Sequence, residues 1–359
     1  MIKKILLLLI VAFNMTCGNP PRQLIAINEI SSKDIFNTET GKLKYHGYFY
    51  KNEILGNEKE LKAIREYSNT IVFSTFDLKV VTPQLIKSLI DGNLDNFRDD
   101  FFADMGKRID LLESMNYVTI GELPFYPAIR LDKFENFKKL LHLFKERVPQ
   151  LVDLDYLYFW DEPDLNYIPS PEIMEKYIAE FKRVFPKVKV TTCYAIPSTD
   201  FYSAVPPKNI DLLMIDPYYF SDETGANSPE NFEKYYQSRL LLSLNWIKQW
   251  DKPYLMVGDS FGSINKEGKR FPSYDVSMWY YILAMTQENC IGLLWFQYGY
   301  IQTAEQIAGV GFDSPQSKLL DLHKEIGKAI FSKPSKIGLP MKKEEPVLYD
   351  VIKQAMELK

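Results

Sequence analysis

Eight short runs rich in β-branched and aromatic residues recur along the chain, each followed by a segment of mixed polarity. They are YHGYFY (45–50), TIVFST (70–75), YVTIGEL (117–123), DYLYFWD (155–161), KVTTCYA (189–195), DLLMID (211–216), YLMVGD (254–259) and IGLLWF (291–296). Their near-continuous apolar character is what strands of a sheet covered on both faces require. Between them, apolar residues fall at helical spacing. In the segment after Ser170, the residues Ile173, Met174, Tyr177, Ile178, Phe181 and Phe185 form one stripe, with Lys176, Glu180 and Lys182 opposite. Segments 58–68, 94–115, 134–148, 231–250 and 276–289 behave similarly, and Ser-Pro pairs at 170, 228 and 314 offer an N-cap followed by proline at the first helical position. Only the fifth connection, around 198–205, is too short for a full helix.

Strand and helix patterns alternating in this way predict repeated βα units and a parallel sheet. Eight such units within residues 43–331 predict an α/β fold of the (β/α)8 (TIM) barrel type. A doubly wound open sheet shares the alternation. Its dinucleotide-binding form carries a G-x-G-x-x-G turn, which is absent here, as is the G-x-x-x-x-G-K-[ST] phosphate loop. Residues 332–359 read as a surface tail ending in a short helix.

The N-terminus departs from this pattern. Lys3 and Lys4 precede an apolar run from Ile5 to Phe13, too short to span a bilayer and typical of a secretory signal. Cys17 follows where a bacterial lipoprotein signal places its lipidated cysteine, although Asn14 and Thr16 depart from the usual residues. The expectation is a signal over 1–16, a tether over 17–42 with Pro20 and Pro21, and an exported, membrane-anchored lipoprotein of the bacterial cell envelope. Removing Cys17 to a lipid leaves Cys193 and Cys290, too few for a disulfide-built scaffold. A net charge of −4 without a basic block gives no electrostatic footprint for nucleic acid.

Chemistry-bearing residues gather where the predicted strands end. Asp161 and Glu162 close the fourth run, followed by Pro163; Glu122 lies at the end of the third, Asp216 closes the sixth and Asp259 the seventh, with Asp77 just after the second. In a barrel these positions share the catalytic face. Glycosidic hydrolysis needs one carboxylic acid to protonate the leaving oxygen and a second carboxylate as nucleophile, base or charge stabiliser. Aromatic faces for sugar rings are offered nearby by Trp160, Tyr218, Tyr219, Phe261 and Trp295, and His46 at the first strand is a candidate hydroxyl contact. With Phe and Tyr numbering 23 each, most aromatics must be core.

The order of these pieces resembles the clan A (β/α)8 glycoside hydrolases. The resemblance runs over residues 43–331 and rests on DEP at Asp161–Pro163, DPYY at Asp216–Tyr219 and LLWF at Leu293–Phe296. It implies a glycoside hydrolase acting on a glycan, with Glu162 as general acid/base. Two positions differ from that family: Asp161 stands where asparagine is usual, and Asp259 where the seventh strand carries a glutamate nucleophile. The adjacent Asp161–Glu162 pair also resembles the substrate-assisted hexosaminidases, in which the aspartate steadies the substrate's own acetamido group. The second carboxylate is therefore Asp259 or Asp161. Strict strand alternation sends Asp161 and Glu162 to opposite faces, so either scheme requires a bend or bulge at the rim.

A non-catalytic barrel that binds glycan or protein is the alternative, as is a barrel whose acids hold a divalent cation. Of three histidines, His142 and His323 lie on predicted helices, and neither His-x-His nor His-Glu-x-x-His occurs, so no metal and no cofactor is expected. Ser260 in GDSFG lacks the G-x-S-x-G form of an activated serine.

Overall fold

In the computed structural model the described residues are 43–331 except 78–79, 164–169, 196–204, 219–240, 266–267, 271–276, 278–279, 282, 286, 300–307 and 310–316. The expected signal, tether and tail, with Cys17, lie outside them, as do Tyr219, Ser228 and Ser314. Among the described residues no helix is long and apolar enough to cross a membrane.

The elements run β1 (Tyr45–Tyr50), α1 (Glu58–Arg65), β2 (Thr70–Ser74), α2 (Pro83–Asp91), α3 (Asp99–Ser114), β3 (Val118–Glu122), α4 (Tyr126–Arg130), α5 (Phe134–Arg147) and β4 (Tyr156–Asp161). They continue with α6 (Pro171–Val184), β5 (Lys189–Tyr194), β6 (Leu212–Ile215), α7 (Leu241–Lys248), β7 (Tyr254–Asp259), β8 (Phe261–Asn265), β9 (Gly268–Arg270), β10 (Cys290–Tyr298), β11 (Ala308–Gly309) and α8 (Ser317–Phe331). Eight strands close into a barrel in the order β1-β10-β7-β6-β5-β4-β3-β2, and each described barrel pairing is parallel. The fold is the expected (β/α)8 barrel.

Strand alternation sorts the apolar side chains into two layers. Phe49, Val72, Ile120, Tyr158, Met214, Val257 and Leu294 meet inside the barrel. Their sequence neighbours Tyr48, Ile71, Leu213, Met256 and Leu293 face outward into the larger cluster shared with the helices. Each side chain so buried is worth roughly 1.5–3 kcal/mol relative to exposure, which is why all eight strands read as continuous apolar runs.

Two local outcomes differ from the expectation. Helix α2 was not anticipated, although its signals are present: Thr82 accepts from the Leu85 N–H at 3.3 Å, Pro83 opens the helix, and Gly92 closes it in the left-handed conformation at φ 74°. Its 9 residues also carry Leu85, Ile86, Leu89 and Ile90 at helical spacing, so the stripe was there to be read. At α6, Ser170 and Pro171 occupy the expected positions, but the serine side chain makes no capping hydrogen bond to the helix backbone. The segment after Asp259 contains the β8–β9 hairpin, and β11 pairs with β8.

Candidate active site

Inward parity at the C-terminal strand ends brings the carboxylates together. Glu122 follows Val118 and Ile120 on the lumen side of β3, and Asp259 follows Leu255 and Val257 on β7. Asp216 directly follows β6, and its N–H donates to the Tyr194 carbonyl at 3.2 Å. Glu122 pairs in register with Ser74, Asp161 with Cys193, and Asp259 with Phe296.

Strand β4 resolves the conflict posed by two adjacent acids. Its register shifts between Tyr158 and Trp160, so Phe159 and Trp160 both join the outer layer. Asp161 then takes the lumen side above Tyr158, whose hydroxyl donates to Asp161 Oδ1. Glu162 follows with φ 46°, a left-handed conformation rare for residues with a Cβ, while its N–H still donates to the Cys193 carbonyl at 3.0 Å. Such strained backbone concentrates at functional sites. Both acids then act on one neighbour, the Tyr218 hydroxyl.

The electrostatics tie the acids to one mouth. Tyr218, buried at 9% exposure, has its hydroxyl pushed well up by burial and then by the charges of Asp216, Cys193, Glu162 and Asp161. Burial also raises the Glu122 carboxyl; Asp161 adds to the rise and Lys51 opposes it. Asp259 is the most affected: 3% exposed, it is pushed up to about 7 by burial, against the lowering influence of its own backbone N–H and of Tyr280. One of its oxygens has no hydrogen-bond partner among the described residues. The Tyr280 hydroxyl donates to the Pro217 carbonyl at 2.7 Å.

Several expected contacts lie elsewhere. Trp295 is fully buried on the outer face of β10: its Nε1 donates to His46 Nε2 at 3.0 Å, and its ring stacks on His323 with centroids 3.9 Å apart. His46 is equally enclosed, its Nδ1 engaged by the Tyr67 carbonyl at 2.8 Å. Neither is available to a sugar; strand parity sends both outward. The aromatic that β10 presents to the lumen is Phe296, half-buried against Phe49 at 5.5 Å and Tyr218 at 5.8 Å, with Lys51 Nζ 5.4 Å from its ring. Phe296, Tyr158 and Lys51 were not singled out from the sequence. The inward phase set by Leu294 was the signal that would have selected Phe296 over Trp295. Trp160 packs outside the lumen against Tyr126, centroids 4.1 Å apart. Phe261 opens β8, opposite Gly309. Ser260 is buried and donates to the Gln297 carbonyl at 3.1 Å, a structural role. Among the described residues no group of three or more His, Cys, Asp or Glu is placed to hold a metal ion.

A closed barrel of eight parallel strands with acids at their C-terminal ends has the architecture of the (β/α)8 glycosidases. An endoglucanase from Pseudomonas stutzeri has this fold with a TM-score of 0.52, at 13% identity over 82% of this chain and 97% of that one. A β-glycosidase from Pyrococcus horikoshii matches with a TM-score of 0.50 and 11% identity, covering 83% and 86%. A GH5_18 protein from Bifidobacterium longum in complex with Manβ1-4GlcNAc matches with a TM-score of 0.50 and 10% identity, covering 82% and 80%. At these identities the likeness is one of fold. No protein-family model matches the chain, and no curated protein matches it.

Proposed function

We propose that the protein hydrolyses O-glycosidic bonds of a glycan at the carboxylate rim. The observation that supports this reading is the Asp161–Glu162 corner, where a bulge and a left-handed residue end β4 and both acids act on the Tyr218 hydroxyl. Glu162 is assigned as the proton donor to the leaving oxygen. A nucleophile must be ionised, and Asp259, with its carboxyl near 7, is half protonated at neutral pH. Asp161, held by the Tyr158 hydroxyl, is therefore the preferred second carboxylate, in keeping with a substrate that supplies its own nucleophile. Glu122, Asp216, Tyr218 and Phe296 line the path of the sugar.

Reducing-end release from a panel of glycans tests this reading. Glu162→Gln is expected to lower kcat by about 10²- to 10⁴-fold while leaving sugar affinity intact. Unchanged turnover sinks the assignment, and sugar binding without turnover in the wild type turns the protein into a glycan-binding barrel. If Asp259 is instead the nucleophile, kcat rises as pH increases through about 7. Export and anchoring through lipidated Cys17 belong to the same proposal; loss of radiolabelled palmitate incorporation in Cys17→Ser is the expected outcome, and undiminished labelling contradicts it.

A further inference from the structure

A cavity of about 460 Å³ opens beside the acid corner, between the ends of β3 and β4 and the segment carrying α2. Its walls are dominated by Phe76, Leu85, Leu89, Phe97, Phe101 and Trp160, and its polar side chains are Glu122, Tyr126, Tyr158 and Asp161. Glu122 and Asp161 belong to the candidate active site, so the cavity shares that edge with it. A neighbouring cavity of about 490 Å³ shares Phe76, Leu85, Phe97 and Phe101 and turns polar at the Arg108–Glu53 ion pair, 2.6 Å long. The apolar stretch is thus bounded by acids at one end and by an ion pair at the other.

A sugar ring does not suit this space. Beyond the edge formed by Glu122, Tyr126, Tyr158 and Asp161, its hydroxyls would give up water and find few partners on the aromatic and aliphatic wall, a net penalty for each. The size falls within the range of small-molecule pockets, and the wall matches an apolar group. We propose that the cavity holds the apolar aglycone, an alkyl or aryl group, of a substrate whose glycosidic oxygen lies at the Asp161–Glu162 corner. The substrate class is then a glycan joined to a hydrophobic group. This rests on the glycosidase reading for the position of the glycosidic oxygen, whereas the cavity's preference for apolar chains can be measured separately.

The test is calorimetric titration of the full chain with 1-butanol, 1-hexanol and 1-octanol, probes that contain no glycosidic bond. Affinity is expected to rise by up to about fourfold for each added methylene. Val81→Trp and Ile86→Trp, two partly exposed positions on the cavity wall, are expected to flatten that slope and weaken octanol binding at least tenfold. Leu131→Trp, at an exposed position 52% accessible, is expected to leave the slope unchanged. A flat series in the wild type overturns the proposal, including the case in which another segment of the chain already fills the cavity. A slope that survives in whichever of the two variants folds overturns it as well. Glycan hydrolysis without a chain-length slope removes the aglycone site alone; a slope without hydrolysis of any alkyl glycoside removes the glycosidase reading.

Discussion

Asp259 at the end of β7 and His46 on β1 are both buried ionisable groups, and the same burial drives each toward its neutral form, the carboxyl up to about 7 and the imidazole down to about 4. They differ in what surrounds them. Both His46 nitrogens are engaged, Nδ1 by the Tyr67 carbonyl and Nε2 by the Trp295 indole, in a layer sealed by α8. Asp259 keeps an oxygen without a partner among the described residues, at an inward position on β7 above Val257. A perturbed group is therefore a candidate for chemistry when bonding capacity is left over at a site a ligand can enter. His323 sharpens the point: both its nitrogens lack partners among the described residues, yet it lies fully buried against Trp295. Its unmet hydrogen bonds weigh on stability.

The contrast can be broken by substitution. Trp295→Ala should destabilise the fold by up to about 5 kcal/mol, seen as a lowered denaturant midpoint, whereas Phe296→Ala at the next position should mainly raise KM. Equal stability losses in the two variants would erase the distinction between sealed layer and mouth.

Asp259→Asn should stabilise the protein by roughly 4 kcal/mol above pH 7 and hardly at all below pH 4. The folded carboxyl is raised to about 7 from 3.8, so its contribution is intact below 3.8 and is lost as pH rises toward 7. Urea titrations at pH 4 and pH 8 measure this, and a pH-independent difference contradicts the burial argument.

His46 acts with the opposite sign. Its folded value of about 4 lies below the ordinary 6.5, so stability is full above 6.5 and falls by roughly 3 kcal/mol as pH drops to 4. The test is wild-type urea midpoints between pH 7 and pH 4, compared with His46→Gln, which should lose most of that slope. The smallest effect is expected at His323→Phe: removing two nitrogens without partners among the described residues from an aromatic stack should stabilise the fold by about 1 kcal/mol, read as a raised urea midpoint. A marked loss of stability there would show that His323 bonds to something in the folded protein.

Most of the barrel was legible because each strand is buried on both faces, and continuous apolar runs such as YLMVGD are hard to mistake. Helix α2 was legible but missed: Thr82, Pro83 and Gly92 mark its ends, and Leu85, Ile86, Leu89 and Ile90 form its stripe. The expected strand-end positions of Glu122, Asp161, Glu162, Asp216 and Asp259 were legible, because a parallel barrel fixes which end of each strand is open. What composition could not supply was phase. The choice between Trp295 and Phe296 depends on which face one residue occupies, and the β4 bulge shifts that count between Tyr158 and Trp160. A requirement for a bulge could be stated from two adjacent acids; its position could not.

Gly258 links the two regions in a way that bears on how this chain tolerates change. A Cβ there would lie 2.7 Å from the Trp295 ring and 3.1 Å from Tyr280, so the glycine gives the ring its room on the outer face while its neighbour Asp259 points inward. In a saturation library, position 258 should accept almost nothing, while position 259 should accept small polar residues that fold well and fail only in a selection for activity. Two adjacent codons would then answer to two different selections, one for a folded protein and one for a working one.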